Sequence, residues 1–174
     1  MKEIKKPKQL YHGSSNIIKG KLSPVLQQTT QDHIHTKPAI FATELIELAA
    51  LFMFPINALA SIGFEKSISY ICIWGTCKEF TSQDQPGYLY VLPSNSFEKV
   101  GKKYEWQSFE DVKPTEIKKF NSVIKGMMQC NVQVYFINDD NLFDRIANEK
   151  NNRAPILRKL ISENQKRNIN IKTF

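Results

Sequence analysis

The order of apolar and polar positions predicts short strands separated by polar loops. Leu10–Ser14 is typical of a short strand that ends at Gly13, and Ala39–Ala42 of a buried strand. The intervening Asn16–Pro38 is polar and contains glycine and proline, so we expect a long loop with at most one brief element. A loop of this length inside a compact domain is more often functional or disordered than idle.

A helix is predicted after the second strand, with Thr43 as its N-cap. Glu44 and Glu47 favour its first turn because the helix dipole is positive there. Its apolar face is expected to consist of residues at helical spacing, namely Leu45, Leu48, Ala49 and Phe52. Pro55 ends or kinks this helix, and Gly63 closes the region.

The remainder of the chain predicts four more strands and three short helices. The strands are expected at Ser67–Trp74, Gly87–Leu92, Lys102–Ser108 and Asn131–Ile137, the last from its alternation of apolar and polar residues. The helices are expected at Thr115–Phe120, at Asn141–Glu149 with a cap near Asp139 or Asp140, and at Pro155–Gln165. Many strands with few helices indicate an α+β domain built on two small sheets.

Length and charge divide the chain into a body and two basic ends. With 174 residues and 41% hydrophobic content, one compact domain is expected, over residues 10–150. The net charge of +7 comes from the basic N-terminal segment 1–9, at +3, and the C-terminal helix or tail 151–174, at +5, which leaves the body at −1. Basic ends attract nucleic acid by counterion release, but solvated lysine-rich ends are also common, and both interpretations stay open.

Cysteine usage and hydropathy predict a soluble, cytoplasmic protein. The three cysteines, Cys72, Cys77 and Cys130, are an odd number without a secretory leader, which favours free thiols in a reducing compartment. Cys72 is expected in a buried strand. The longest apolar stretch, Leu48–Ile62, contains Pro55 and is too short to span a membrane, so no membrane contact is expected.

The segment Tyr11-His12-Gly13-Ser14 offers an imidazole, a flexible backbone position and a hydroxyl within four residues. Gly13 allows a ligand to approach the main chain, where an N–H and a C=O can bind a planar amide. His12 can donate to a sugar hydroxyl. Taken alone, the segment fits a strand end that carries a satisfied surface histidine better than a ligand site.

Glu105 lies between Tyr104 and Trp106 in a predicted strand. In a cleft, its carboxylate can oppose a cation that develops during reaction, as carboxylates do beside an anomeric carbon. The alternative is an outward-facing glutamate on an edge strand.

No metal site is expected. His33 and His35 alternate as a pair without a nearby third histidine, and the spacing of Cys72 and Cys77 does not match a zinc knuckle. The sequence also has no P-loop, no G-x-G-x-x-G and no G-x-S-x-G, which excludes the simplest NTPase, Rossmann and hydrolase sites.

Read together, three segments resemble the motifs of the ADP-ribosyltransferase superfamily of the His–Tyr–Glu type, which includes poly(ADP-ribose) polymerases and rifampin-modifying transferases. They are Leu10–Ser14, Ala39–Thr43 and Tyr104–Ser108, in the family's order, and the resemblance covers residues 10–120 or so. It implies a split β-sheet core with flanking helices and NAD as a substrate.

The resemblance also implies roles for individual residues. His12 would contact a ribose hydroxyl, the Gly13 main chain would hold the nicotinamide carboxamide with help from Ser14, and Glu105 would stabilise positive charge as nicotinamide departs. Where the family has a tyrosine that packs on nicotinamide, this sequence has Ile40 or Phe41, depending on alignment.

The implied activity is mono-ADP-ribosylation of an unknown acceptor, which is a protein, a nucleic acid or a small molecule, and simple hydrolysis of NAD stays open as well. Lys103 stands where the arginine-modifying subgroup has an acid. Because the family tyrosine is missing, an inactive module that binds NAD, ADP-ribose or nucleic acid is the alternative. The related RNA 2′-phosphotransferases rank lower because they need several arginines around the cleft, and here all arginines come late, from Arg145 onward.

Overall fold

A computed structural model shows an α+β protein with two mostly antiparallel sheets and few helices. The structure describes residues 6–26, 37–55, 60–65, 68–74, 81, 84–100, 104–137, 139–148, 159 and 171–173. The general class predicted from the sequence is therefore confirmed.

Ten strands and three helices are defined within these ranges. In chain order they are β1 (Gln9–Ser14), β2 (Ile40–Thr43), α1 (Ile46–Leu51), β3 (Ala60–Glu65), β4 (Ile68–Trp74), β5 (Gly87–Pro93), β6 (Glu98–Lys99), β7 (Glu105–Ser108), β8 (Glu116–Phe120), α2 (Val123–Gln129), β9 (Val132–Ile137), α3 (Asp140–Asn148) and β10 (Ile171–Thr173).

The larger sheet has six strands in the order β6-β7-β2-β1-β5-β8, and every neighbouring pair is antiparallel. The smaller sheet has the order β10-β9-β4-β3, with β4 and β9 parallel and the other pairs antiparallel. The parallel pair is buried on both faces in its second half, since Tyr135 and Phe136 are both buried.

The main core lies between the two sheets and includes the helices α1 and α2. Its buried side chains include Ala49, Ala50 and Leu51 from α1, Leu89 from β5, Ile71 and Ile73 from β4, Met127 from α2 and Phe136 from β9. A second cluster covers the other face of the larger sheet and includes Leu10, Ile40, Ala42, Tyr90, Leu92 and Trp106. The larger sheet is thus covered on both faces.

Most of the strand predictions are confirmed, but residues 116–120 are a strand and not a helix. Ile117 and Phe120 are three residues apart, a spacing that is also compatible with a helix. The structure instead pairs β8 with β5 by main-chain bonds, and Glu116–Lys119 are all exposed. Lysines at such an edge hinder pairing with other chains.

The prediction that Thr43 caps α1 is wrong. Thr43 is the last residue of β2, and the helix begins at Ile46 with Leu45 at the N-cap. The Thr43 hydroxyl accepts from the Leu45 N–H at 3.2 Å, a local turn bond just before the helix. Phe52, expected on the buried face, is 49% exposed.

Some elements of the structure were not predicted from the sequence, and one predicted helix lies outside the described residues. The strand β3 spans Gly63, which was expected to close a region, and α2 was missed. The helix α3 is confirmed, with the Leu142 N–H donating to Asp139 Oδ1 at 3.0 Å. The predicted helix Pro155–Gln165 lies outside the described residues except for Lys159.

The chain end beyond the domain boundary predicted at residue 150 contributes to the smaller sheet, because β10 pairs with β9. Most of the basic segment 151–174, and residues 1–5 of the basic N-terminal segment, lie outside the described residues. Among the helices that are described, none has the length and apolar character needed to cross a membrane.

Candidate functional site

A cavity of about 600 Å³ opens where β1, β2, α1 and the start of β7 meet. Such a volume is typical of small-molecule sites. Its wall consists of Tyr11, His12, Gly13, Ser14, Ser15, Ile18, Val25, Phe41, Ala42, Thr43, Leu48, Ala49, Phe52, Tyr104 and Glu105. Five of the six predicted site residues are among them, and only Ile40 is not.

The cavity exists because the larger sheet splits between β1 and β2. These strands are paired at a single position, Tyr11 with Thr43, whereas β1 pairs with β5 along all six of its residues. The strand β2 pairs with β7 along all four of its residues. Beyond Tyr11, the two halves of the sheet therefore separate and leave room for a ligand.

His12 bridges the split. Its Nδ1 lies 2.7 Å from the Phe41 carbonyl oxygen, and because a carbonyl only accepts, Nδ1 carries the proton. Burial lowers the pKa of His12 below its ordinary value, and the bond to Phe41 opposes this shift only in part. The ring is therefore neutral at pH 7, and Nε2 is a hydrogen-bond acceptor, whereas the sequence suggested a donor.

The imidazole is held from the β5 side by Tyr90. The two residues are directly opposite in the β1–β5 ladder, and their ring centroids are 6.1 Å apart at 55°. The Tyr90 hydroxyl accepts from the Ile18 N–H at 2.7 Å and donates to the Asn16 carbonyl at 3.4 Å. The same tyrosine thus fixes the histidine and the chain that leaves β1.

Gly13 is required by close packing against α1. A Cβ at this position would overlap the Ala49 carbonyl oxygen and lie 3.1 Å from the Met53 backbone nitrogen. The lack of a side chain therefore brings α1 directly against β1, beside the cavity. The sequence predicted that a ligand approaches the Gly13 main chain. On the side where a Cβ would lie, α1 occupies that place instead.

Glu105 is the first residue of β7 and faces the cavity. It is directly opposite Thr43, which is itself opposite Tyr11, so the three residues form a row across three strands on one face. Within the described ranges, no donor or cation contacts the Glu105 carboxylate, and it is partly exposed. It is the only aspartate or glutamate among the described residues of the cavity wall.

Phe41 and Ile40 lie on opposite faces of β2. Phe41 lines the large cavity, whereas Ile40 is 3% exposed in the second cluster. The sequence left open whether Ile40 or Phe41 borders the site. In the structure, Phe41 is the one of the two that lines the large cavity. Ser14 also lines the cavity, and its hydroxyl accepts from the Asn16 N–H at 3.1 Å.

Ten wall residues were not predicted as site residues, among them Tyr11, Thr43, Phe52 and Tyr104. Tyr11 and Tyr104 directly precede predicted site residues, which was the available signal. Phe52 could not be found by periodicity, because its position matches a core position of the helix.

A smaller cavity of about 320 Å³ adjoins the first and shares His12, Ile18, Val25 and Phe41 with it. Ile40 lines this smaller cavity, as do Lys21 and Ser23. Lys21 forms an ion pair of 3.0 Å with Asp111, and this hydrogen bond lowers the pKa of that carboxyl. Lys21 places a cation beside the smaller cavity.

Over the part of the chain that the structure describes, no group of three or more His, Cys, Asp or Glu is arranged to hold a metal. His33, His35 and Cys77 lie outside that part. Cys72 is buried in β4 as predicted, and within the described residues neither Cys72 nor Cys130 forms a disulfide.

Comparison with models of known protein families, with curated proteins and with solved structures finds no match.

Proposed function

We propose that this protein is an NAD-dependent mono-ADP-ribosyltransferase with an ADP-ribosyltransferase-like split-sheet core. It cleaves the bond between nicotinamide and ribose and transfers ADP-ribose to an acceptor. The observation that carries the proposal is the convergence of three distant segments on one cavity. His12 with Gly13, then Phe41, then Glu105 all line this cavity, and they come from the three segments on which the family resemblance rests.

The cavity suits the nicotinamide riboside half of NAD. The planar ring packs against Phe41, and its carboxamide bonds the main chain at Gly13. The neutral His12 accepts a bond from a ribose hydroxyl through Nε2. The adenylate half extends into the smaller cavity, whose wall includes Lys21, and a phosphate there would share this cation with Asp111.

Glu105 acts on the bond that breaks. As the C–N bond lengthens, its electron pair moves onto the nicotinamide ring, which leaves uncharged, and positive charge develops on the ribose. The Glu105 carboxylate opposes that charge and holds a ribose hydroxyl. The acceptor then bonds to the ribose carbon and releases its proton to solvent.

One observation favours a second candidate, an inactive module that binds NAD or ADP-ribose. Phe41 lines the cavity where the family has a tyrosine. No arginine lines either cavity as described, which does not support the RNA 2′-phosphotransferase alternative. The acceptor class and the cytoplasmic location stay predictions.

Incubation with NAD separates the candidates. Release of nicotinamide that is lost in His12→Ala supports the transferase. Calorimetric binding of NAD without release supports the inactive module, and the absence of both contradicts both.

A further inference from the structure

On the face of the larger sheet that carries the second cluster, Lys99 reaches across β7. It is opposite Trp106 in the β6–β7 ladder, and its Nζ lies 4.5 Å from the centroid of the Trp106 ring. The same Nζ lies 3.4 Å from Glu44 Oε1. Glu44 directly follows the last residue of β2. One ammonium group thus connects β6, β7 and the end of β2.

Trp106 is the immediate neighbour of Glu105, and alternation along the strand places their side chains on opposite faces. Trp106 is buried in the second cluster, and its Nε1 has no hydrogen-bond partner among the described residues. Its position therefore depends on apolar packing and on the cation above its ring.

Glu105 depends on the backbone of β7 for its orientation. It is the first residue of its strand, and its carbonyl oxygen accepts from the Val100 N–H at 3.0 Å. Strand ends open more readily than strand centres. The ion pair between Lys99 and Glu44 ties the two neighbouring strands together at this end.

We propose that Lys99 and Glu44 are positioning residues that hold Glu105 toward the cavity. They do so by fixing the first residues of β7 from the strand face that carries Trp106. This inference rests on the proposed function for its kinetic consequence. The two side chains are 21% and 33% exposed, so their attraction is screened less than that of the more exposed pair Lys118–Glu116. The reaction is sensitive to the position of a catalytic carboxylate at the scale of 1 Å.

The kinetic test uses Lys99→Met, which keeps the aliphatic stem and removes the charge. We expect kcat for nicotinamide release to fall about 10- to 100-fold while KM for NAD changes less than about threefold. Glu44→Gln has the same effect, the double variant is no worse than either single one, and Lys99→Arg retains activity. Lys118→Met, the same change in an ion pair on β8, is the matched control.

A second measurement needs no NAD. Hydrogen exchange of the Val100 amide becomes at least about fivefold faster in Lys99→Met, because that amide bonds the Glu105 carbonyl, and stays unchanged in Lys118→Met. If the parent protein releases no nicotinamide, the proposed function fails, and the exchange rates alone decide the positioning role.

Two results would overturn the inference. One is a Lys99→Met protein with the kcat and the Val100 exchange rate of the parent. The other is an equal loss of activity in Lys99→Met and Lys118→Met that follows a loss of thermal stability, since that would show a general structural effect.

Discussion

Single residues at the cavity combine structural and chemical roles. His12 replaces main-chain pairing where β1 and β2 separate, and the same bond to Phe41 fixes its tautomer. Gly13 brings α1 against β1, and Glu105 faces the cavity from the first position of β7. The residues that build the split are thus also those proposed to bind and cleave NAD.

Gly13→Ala is expected to destabilise the fold, because the new Cβ overlaps the Ala49 carbonyl oxygen and pushes α1 from β1. We expect a loss of about 1–3 kcal/mol in the free energy of unfolding, measured by urea denaturation. Ser15→Ala, which removes an atom beside the same cavity, is the control. Equal stability of the two variants would show that α1 adjusts without cost.

His12 is expected to make stability depend on pH. Because its pKa is lowered in the folded state, the unfolded chain binds the proton more readily. The contribution of His12 is therefore complete above the unfolded pKa of about 6.5 and is lost as the pH falls through and below that value. We expect the stability advantage over His12→Asn, which keeps a donor near Nδ1, to shrink between pH 8 and pH 5 in urea denaturation. An advantage that is constant over this range contradicts a buried neutral ring.

At the level of elements, two consecutive residues at the end of α1 have different roles, one in the core and one in the cavity wall. Leu51 is completely buried, whereas the next residue, Phe52, is 49% exposed and lines the cavity. Leu51→Ala is expected to cost about 2–5 kcal/mol of stability in chemical denaturation. Phe52→Ala should cost well under half as much and weaken NAD binding in calorimetry. A larger loss of stability in Phe52→Ala than in Leu51→Ala would contradict the placement of Leu51 in the core and Phe52 at the cavity.

The sequence predicted the strands with buried alternating or continuous apolar residues, such as β1, β4 and β5, because burial leaves a periodic pattern. It failed at β8, where the strand is exposed and its identity depends on pairing with β5. It also could not choose between Ile40 and Phe41. Which face of β2 borders the cavity depends on the split from β1, a tertiary feature that neighbouring residues do not encode.

For the whole molecule, the smaller sheet includes Ile171–Thr173, far beyond the predicted boundary at residue 150. The strand β10 pairs with β9, so removal of residues 151–174 would remove a strand as well as the basic charges. Neutralisation of charge is the better test of nucleic-acid contact through the basic ends.

We expect salt-sensitive binding of the parent to single-stranded RNA, measured by fluorescence anisotropy at two salt concentrations. The triple variant Arg153→Gln, Arg158→Gln and Arg167→Gln should weaken binding and reduce the slope of log K against log salt by about 2–3. An unchanged slope would exclude these arginines as phosphate contacts.

The most direct test of the proposed reaction is the rate of nicotinamide release from NAD by the parent, by Glu105→Gln and by Glu98→Gln, an exposed glutamate on β6 outside the cavity wall. We predict that Glu105→Gln lowers the rate by about 10²- to 10³-fold while NAD still binds, because the amide cannot oppose the developing charge. Glu98→Gln should keep the rate within about twofold. Release by Glu105→Gln at the rate of the parent would contradict the account.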